Sequence, residues 1–322
     1  MVGQAEDLAV RSGVTVILPD ERAVCACDVR GGGPGTRETD ALAPETLVEA
    51  VDAVVLSGGS VYGLAAADGV AAWLGAQGRG FQLVATPGVP VSPVVPAAIL
   101  FDLANGGDKA WGLQPPYRDL GVRAAQGAAR QFALGTVGAG CGAMAGGLKG
   151  GVGSASIVSS DGFTVGALAA VNSFGSVTAP GTRIFWAAPF EIGDEFGGLG
   201  PAHLRAAPED FGLAKPAPAP GANTTIACVA TDAALTVADA RRLAIMAQDG
   251  LARAVRPAHA LFDGDVVFAL ATGRRPLSAA RAADVTRLGA LAADCLARAI
   301  ARGVYEAKAW PGSGFRSWSD LL

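Results

Sequence analysis

Short apolar runs separated by glycine-rich breaks dominate the chain, and both the strand and the helix period can be picked out among them. Val14 to Leu18 and Ala23 to Val29 are strand-like runs either side of the polar break Pro19 to Arg22, which predicts two strands joined by a turn. Ala53 to Leu56 is a short apolar strand that enters Ser57-Gly58-Gly59-Ser60-Val61-Tyr62-Gly63 and then an alanine-rich helix through Trp73. Arg118 to Phe132 has helical composition and leads into the glycine-dense stretch Gly135 to Gly153. Short strands are expected next, near Ala155 to Val158 and Phe163 to Val171.

The last third is more regular. Gly193 to Ala222 has few apolar clusters and closes on Lys-Pro-Ala-Pro-Ala-Pro-Gly-Ala-Asn, which reads as an exposed connector. Thr224 to Ala230 is a β-rich run, and Thr236-Val237-Ala238-Asp239 is a capping box opening a helix with Leu243, Ala244 and Ala247 on one side. Val266 to Thr272 predicts another strand. Ser278 to Arg302 predicts a long helix carrying Val285, Leu288, Leu291 and Leu296, stopped by Gly303. The mixture is α/β or α+β, and 322 residues fit one large domain.

Composition narrows the function classes. The chain is 51% hydrophobic and only 17% charged, enough for a sizeable core and too apolar for a disordered tail. A net charge of -4, with no Lys/Arg run, excludes nucleic acid as a partner. The opening MVGQAEDLAVRSG puts acids where a secretory signal has a basic flank, so a cytoplasmic address is expected. Two stretches without charges, Gln131 to Leu148 and Phe163 to Thr182, are diluted with small and polar residues, so buried strands and loops are expected there and no membrane span. The five cysteines are an odd number and read as free, buried thiols. Cys25 and Cys27, with only His203 and His259 available, fit no zinc pattern, and no metal or cofactor is called for.

The glycine segments do not make a nucleotide site. Gly31 to Gly35 precedes no helix, the segment from Gly58 lacks a Gly-Lys-Ser/Thr ending, and Gly138 to Ala143 follows a helical stretch rather than a strand. Free N–H groups for an anion or oxyanion are the better use of them. With His203 in the connector and His259 in a loop, a serine-histidine-aspartate triad is poorly supplied. An N-terminal threonine needs no histidine, because its own α-amino group, with a pKa of about 7.7 to 8, can take the hydroxyl proton. Such a residue has to be made by cleavage, and Asn223-Thr224 joins the connector to a strand. Alone, this segment also reads as a turn entering a strand. Asp263-Gly264-Asp265, just before another strand, reads as a turn, an acidic pair or part of a metal site.

Taken together, these segments resemble the L-aminopeptidase/D-esterase family of self-cleaving hydrolases, which includes β-peptidyl aminopeptidases and nylon-oligomer hydrolases. The likeness spans nearly the whole chain and is carried by DVRGGGPGTRETD at Asp28, LSGGSVYGL at Leu56, GAGCGAMAGGLKGGVGSAS at Gly138, AAVNSFG at Ala169, NTTIACVATDA at Asn223 and FDGDVVFALATG at Phe262. The resemblance implies an αββα sandwich in one compact domain, cut into 1–223 and 224–322, and a homo-oligomer, dimer or tetramer. It implies Thr224 as nucleophile, Asn172 as the oxyanion-side amide, Lys149 and Tyr62 as polar residues of the site, and Asp263 and Asp265 as the acidic pair. It implies a small peptide or amide as substrate. Threonine with Asp-x-Asp is similar to the nylon-oligomer hydrolase branch, whereas the β-peptidyl aminopeptidases typically carry serine and Ser-x-Glu. An acyltransferase of the ornithine acetyltransferase kind is the alternative, sharing a self-cleaved threonine but passing the acyl group to an amine.

Overall fold

Most strands of this chain bury both faces, which is why their sequences read as unbroken apolar runs. The computed structural model describes residues 1–202, 204–215, 223–313 and 315–321. In chain order the elements are β1 (Val2–Asp7), β2 (Ser12–Ile17), β3 (Val24–Val29), β4 (Thr36–Arg37), β5 (Val54–Ser57), α1 (Ala66–Ala76), β6 (Ala97–Ile99), α2 (Tyr117–Gln126), β7 (Met144–Ala145), β8 (Leu148–Lys149), β9 (Val152–Val158), β10 (Thr164–Asn172), β11 (Thr224–Ala233), α3 (Val237–Ala254), β12 (Val266–Arg275) and α4 (Arg281–Tyr305). The first sheet has the order β1-β2-β5-β6-β4 and the second β3-β12-β11-β10-β9, with β7-β8 a separate ribbon.

Alternation along the strands builds four layers. In β11, Ile226 and Cys228 meet Leu56, Ala98 and Phe268 between the sheets, while Ala227 and Val229 meet Leu243 and Leu296 under α3 and α4. In β5, Leu56 faces the sheet interface and Val55 faces Val70 and Leu120 of α1 and α2. Helices therefore cover the outer face of each sheet, giving the αββα sandwich in a single domain. Thr236 and Asp239 bond reciprocally at the start of α3, as the capping box predicts. All five cysteines are free and buried. Among the described residues, no helix is long and apolar enough to cross a membrane.

Three local expectations are corrected. Val14 to Leu18 and Ala23 to Val29 do not pair with each other: β2 pairs with β1 and β5, whereas β3 pairs with β12 in the other sheet. The break between them has none of the two-residue turn chemistry that closes a hairpin, so the chain is free to cross the sandwich. Gly303 does not stop α4, which runs on to Tyr305. That glycine lies against Gly153, where an added Cβ would sit 2.3 Å from Gly303 N, so the missing side chains let the helix rest on β9. The segment from Gly193 is not wholly exposed either. Phe196 is buried, and Glu195 pairs with the buried Arg298 at 2.5 Å. The rest of that connector, 216–222, and His203 lie outside the described residues.

Candidate active site

Strand direction gathers the site at one end of the second sheet. β11 runs parallel to β12 and antiparallel to β10, so the starts of β11 and β12 and the finish of β10 fall together. Thr224 opens β11 directly opposite Asn172, the last residue of β10, and Asn223 bridges Asp263 just ahead of β12. Thr224, Asn223, Asn172, Asp263 and Asp265 are all at most 2% exposed.

The peptide bond between Asn223 and Thr224 is the focus of this cluster. The Asn223 carbonyl accepts the Gly264 N–H at 2.9 Å, and the Thr224 hydroxyl donates to that same carbonyl. A backbone donor on a carbonyl with a hydroxyl beside it is the layout for attack on that carbon with the oxygen's growing charge stabilised. Gly31 accounts for the glycine run in the loop behind: a Cβ there would lie 2.2 Å from Asp265 N, so only glycine allows the loop to back the acidic turn.

Every oxygen of the acidic pair faces an N–H donor. Asp263 accepts from Phe174 N at 3.0 Å and Ala260 N at 2.9 Å. Asp265 accepts from Thr225 N at 2.7 Å and, through its other oxygen, from His259 N at 3.2 Å, with His259 Nδ1 at 2.9 Å. Burial, and then the neighbouring Asp265 charge, push the Asp263 carboxyl well above the usual carboxylate range. His259, a loop histidine in the sequence, is held to the pair from a left-handed backbone with φ 55°.

The remaining sequence candidates fall in different places. Asn172 holds the Met144 N–H with its oxygen at 2.8 Å and donates to the Phe101 carbonyl at 2.9 Å. The donors on the Asn223 carbonyl are the Gly264 N–H and the Thr224 hydroxyl. Lys149 is 1% exposed and gives its ammonium to the carbonyls of Gly140, Ala143 and Gly150 at 2.9, 2.9 and 2.6 Å, which ties the glycine loop together. Burial pushes it down to about 7. Tyr62 is 46% exposed and packs edge-on against Trp111 at 5.5 Å.

A cavity of about 340 Å³ adjoins the Asn223 position, lined by Phe101, Asp102, Asn172, Lys215, Asn223 and Phe315 among others. Two charged groups here, Asp102 and Lys215, carry no motif in the sequence. Asp102, 3% exposed, accepts from Gly59 N at 2.8 Å and is pushed up to about 6 by burial. Lys215 donates to Asn223 Oδ1 at 2.7 Å and is pushed down to about 8, again by burial. The only sequence signal for Lys215 is that it is the single charge between Phe211 and Asn223.

Residues 1–317 match the profile of peptidase family S58. A protein of Mycobacterium bovis named as an uncharacterized aminopeptidase is 47% identical over 326 residues, spanning 96% of this chain and 90% of its own length. A likewise named protein of Mycobacterium leprae is 46% identical over 319 residues, spanning 93% and 84%. Among solved structures, a Burkholderia sp. beta-aminopeptidase aligns with a TM-score of 0.70 at 21% identity, covering 99% of this chain and 89% of that one. The L-aminopeptidase D-Ala-esterase/amidase of Ochrobactrum anthropi, described as a variant of the Ntn hydrolase fold, aligns at 0.65 with 19% identity, covering 98% and 86%. Sequence profile, relatives and four-layer fold agree: the chain belongs to peptidase family S58 and is a peptide-bond hydrolase.

Proposed function

We propose that the chain cuts itself between Asn223 and Thr224, and that the freed Thr224 is the nucleophile with which it removes N-terminal residues from short peptides or linear amides. The observation that carries this reading is the Asn223 carbonyl, held by Gly264 N–H at 2.9 Å with the Thr224 hydroxyl against it. In the cut, Thr224 Oγ1 bonds to the carbonyl carbon, the carbon–nitrogen bond breaks, and the hydroxyl proton ends on the Thr224 nitrogen. Water then opens the ester, leaving an Asn223 carboxylate and a free Thr224 with its hydroxyl and α-amine.

The new amine serves as general base for turnover. Asp265 fixes Thr225 N–H beside it, and Asp263 and Asp265 supply the negative charge that orients an ammonium. Gly264 N–H, released from Asn223, donates to the oxygen of the substrate carbonyl. Phe101 and Phe315 give the cavity apolar walls, suited to an unbranched chain such as an aminohexanoate oligomer as well as to a peptide. The working form is a homo-oligomer, dimer or tetramer, with each copy composed of 1–223 and 224–322.

Denaturing gels should show fragments of about 22 and about 10 kDa from the 32.1 kDa chain, the smaller one beginning Thr-Thr-Ile-Ala. Thr224→Ala should abolish both cutting and hydrolysis, and Thr224→Ser should retain some of each. A wild-type chain that stays whole and fully active overturns the reading. Running peptides, β-peptides and aminohexanoate oligomers with and without added amines identifies the substrate and separates hydrolysis from acyl transfer.

A further inference from the structure

Backbone bonds to two distant segments hold Lys215 where its side chain lines the cavity. Its backbone N–H donates to the Phe174 carbonyl at 3.0 Å, and Phe174 N–H in turn donates to Asp263 at 3.0 Å. Two residues earlier, the Leu213 carbonyl accepts the Gly147 N–H of the glycine loop at 2.6 Å. From this footing the ammonium donates to Asn223 Oδ1 at 2.7 Å and reaches the Asn172 carbonyl at 3.5 Å. Asn223 is 1% exposed, and among the described residues its side-chain nitrogen has no hydrogen-bond partner, whereas Oδ1 is held by Lys215.

Two restraints therefore converge on one residue: Lys215 fixes the side chain of Asn223, and Gly264 fixes its carbonyl. An ammonium taken out of water is expensive, and the turnover chemistry proposed above does not call on this one, since the freed Thr224 amine is the base there. Before the cut that amine does not exist, so the geometry of attack has to be set by other groups.

We propose, resting on the reading that the chain cuts itself after Asn223, that Lys215 is a positioning residue for that cut, its ammonium gripping the Asn223 side chain so that the scissile carbonyl stays in line with Thr224 Oγ1. The distinction from Lys149 is geometric. Lys149 touches carbonyls of its own loop, whereas Lys215 touches the residue whose bond is broken.

Cutting can be timed by labelling the chain in a brief pulse of cell-free synthesis and following the appearance of the 224–322 fragment. Lys215→Met should slow it by about ten- to a hundred-fold, the range for losing a charged hydrogen bond that orients a reacting group. Lys215→Arg, which can still donate to Asn223 Oδ1, should recover much of the rate. Asn223→Ala should slow cutting comparably, and adding Lys215→Met to it should then change little, because the two act as one unit. Lys215→Gln, read the same way, guards against a folding defect peculiar to methionine, and melting curves of each variant on the uncuttable Thr224→Ala background check the fold. Wild-type cutting by Lys215→Met, or fully additive losses in the double variant, overturns the proposal while leaving self-cleavage intact. A wild-type chain that never cuts removes the underlying reading as well.

Discussion

Each sheet of the sandwich ends in a buried carboxylate that holds a backbone N–H, yet the proposed self-cleavage lies at only one of these ends. In the first sheet Asp102, just past β6, accepts from Gly59 N at 2.8 Å; in the second, Asp265, just before β12, accepts from Thr225 N at 2.7 Å. The difference lies in what stands next to the carboxylate. Asp102 has glycine backbone, the Ser12 hydroxyl and Tyr117 beside it and forms one wall of the cavity, whereas Asp265 has a second carboxylate, a histidine and the Asn223–Thr224 peptide bond with its own threonine hydroxyl around it. Burial and a raised pKa alone do not mark a reacting centre; the convergence of a nucleophile, a carbonyl and its donor does.

Breaking the second-sheet end should have the largest effect. Asp263→Asn and Asp265→Asn are expected to give soluble protein whose turnover falls by roughly 10²- to 10⁴-fold, the range for acid-base and charge-orienting groups. A carboxylate that serves only the Thr224 amine should spare self-cleavage, whereas one that also polarises the hydroxyl should slow both steps, so the two rates are measured separately. Because Asp263 is raised by burial and by Asp265, wild-type turnover should fall as pH drops through a value above the ordinary carboxylate figure of about 3.9, and Asp263→Asn should lose that limb. Full activity in both variants reduces Asp263-Gly264-Asp265 to an ordinary turn.

At the first-sheet end the expected effect is on stability. Asp102 is raised to about 6, so its protonated form favours the folded state below about pH 4, and that contribution is lost as pH rises through the folded value. Asparagine keeps an acceptor for Gly59 N–H but cannot ionise. Asp102→Asn should therefore be more stable than wild type at pH 7, by on the order of 2 kcal/mol, with the gap closing near pH 4. Urea melts across that range test the sign, and a wild type that gains on the variant as pH rises contradicts it.

The smallest effect is expected at Tyr62, which is half-exposed and packs on Trp111. Tyr62→Phe should change turnover by no more than about twofold, as for an exposed substitution that keeps its ring contact. A loss of tenfold or more would give the Tyr62 hydroxyl a role in the reaction and narrow the contrast between the two sheets.

Legibility followed the same divide. In the second sheet, local signals agreed with the fold: β11, α3 and β12 fall where the β-rich run, the capping box and the next apolar run put them, and the motifs around Asn223 and Asp263 pointed to one place. In the first sheet, no local signal marks β1 or tells that β2 pairs with β1 and β5, because pairing there is decided by packing across the sheet and not by a turn. Lys215 was hidden for another reason: a lone lysine before a proline-rich tract carries no pattern, and its meaning comes from anchors at Phe174 and Gly147 far away in sequence.

The sequence by itself determined the α/β character, the helices and strands of the last third, and the family, since these rest on periodicity, capping and motifs that are local or of fixed spacing. Only the tertiary structure decided which strands share a sheet, that Lys149 is enclosed by its own loop while Lys215 holds Asn223, and that a backbone N–H, from Gly264, meets the Asn223 carbonyl. The physical reason is that desolvation and hydrogen bonding act through space: a side chain's role is set by the groups that surround it after folding, and these are drawn from distant parts of the chain.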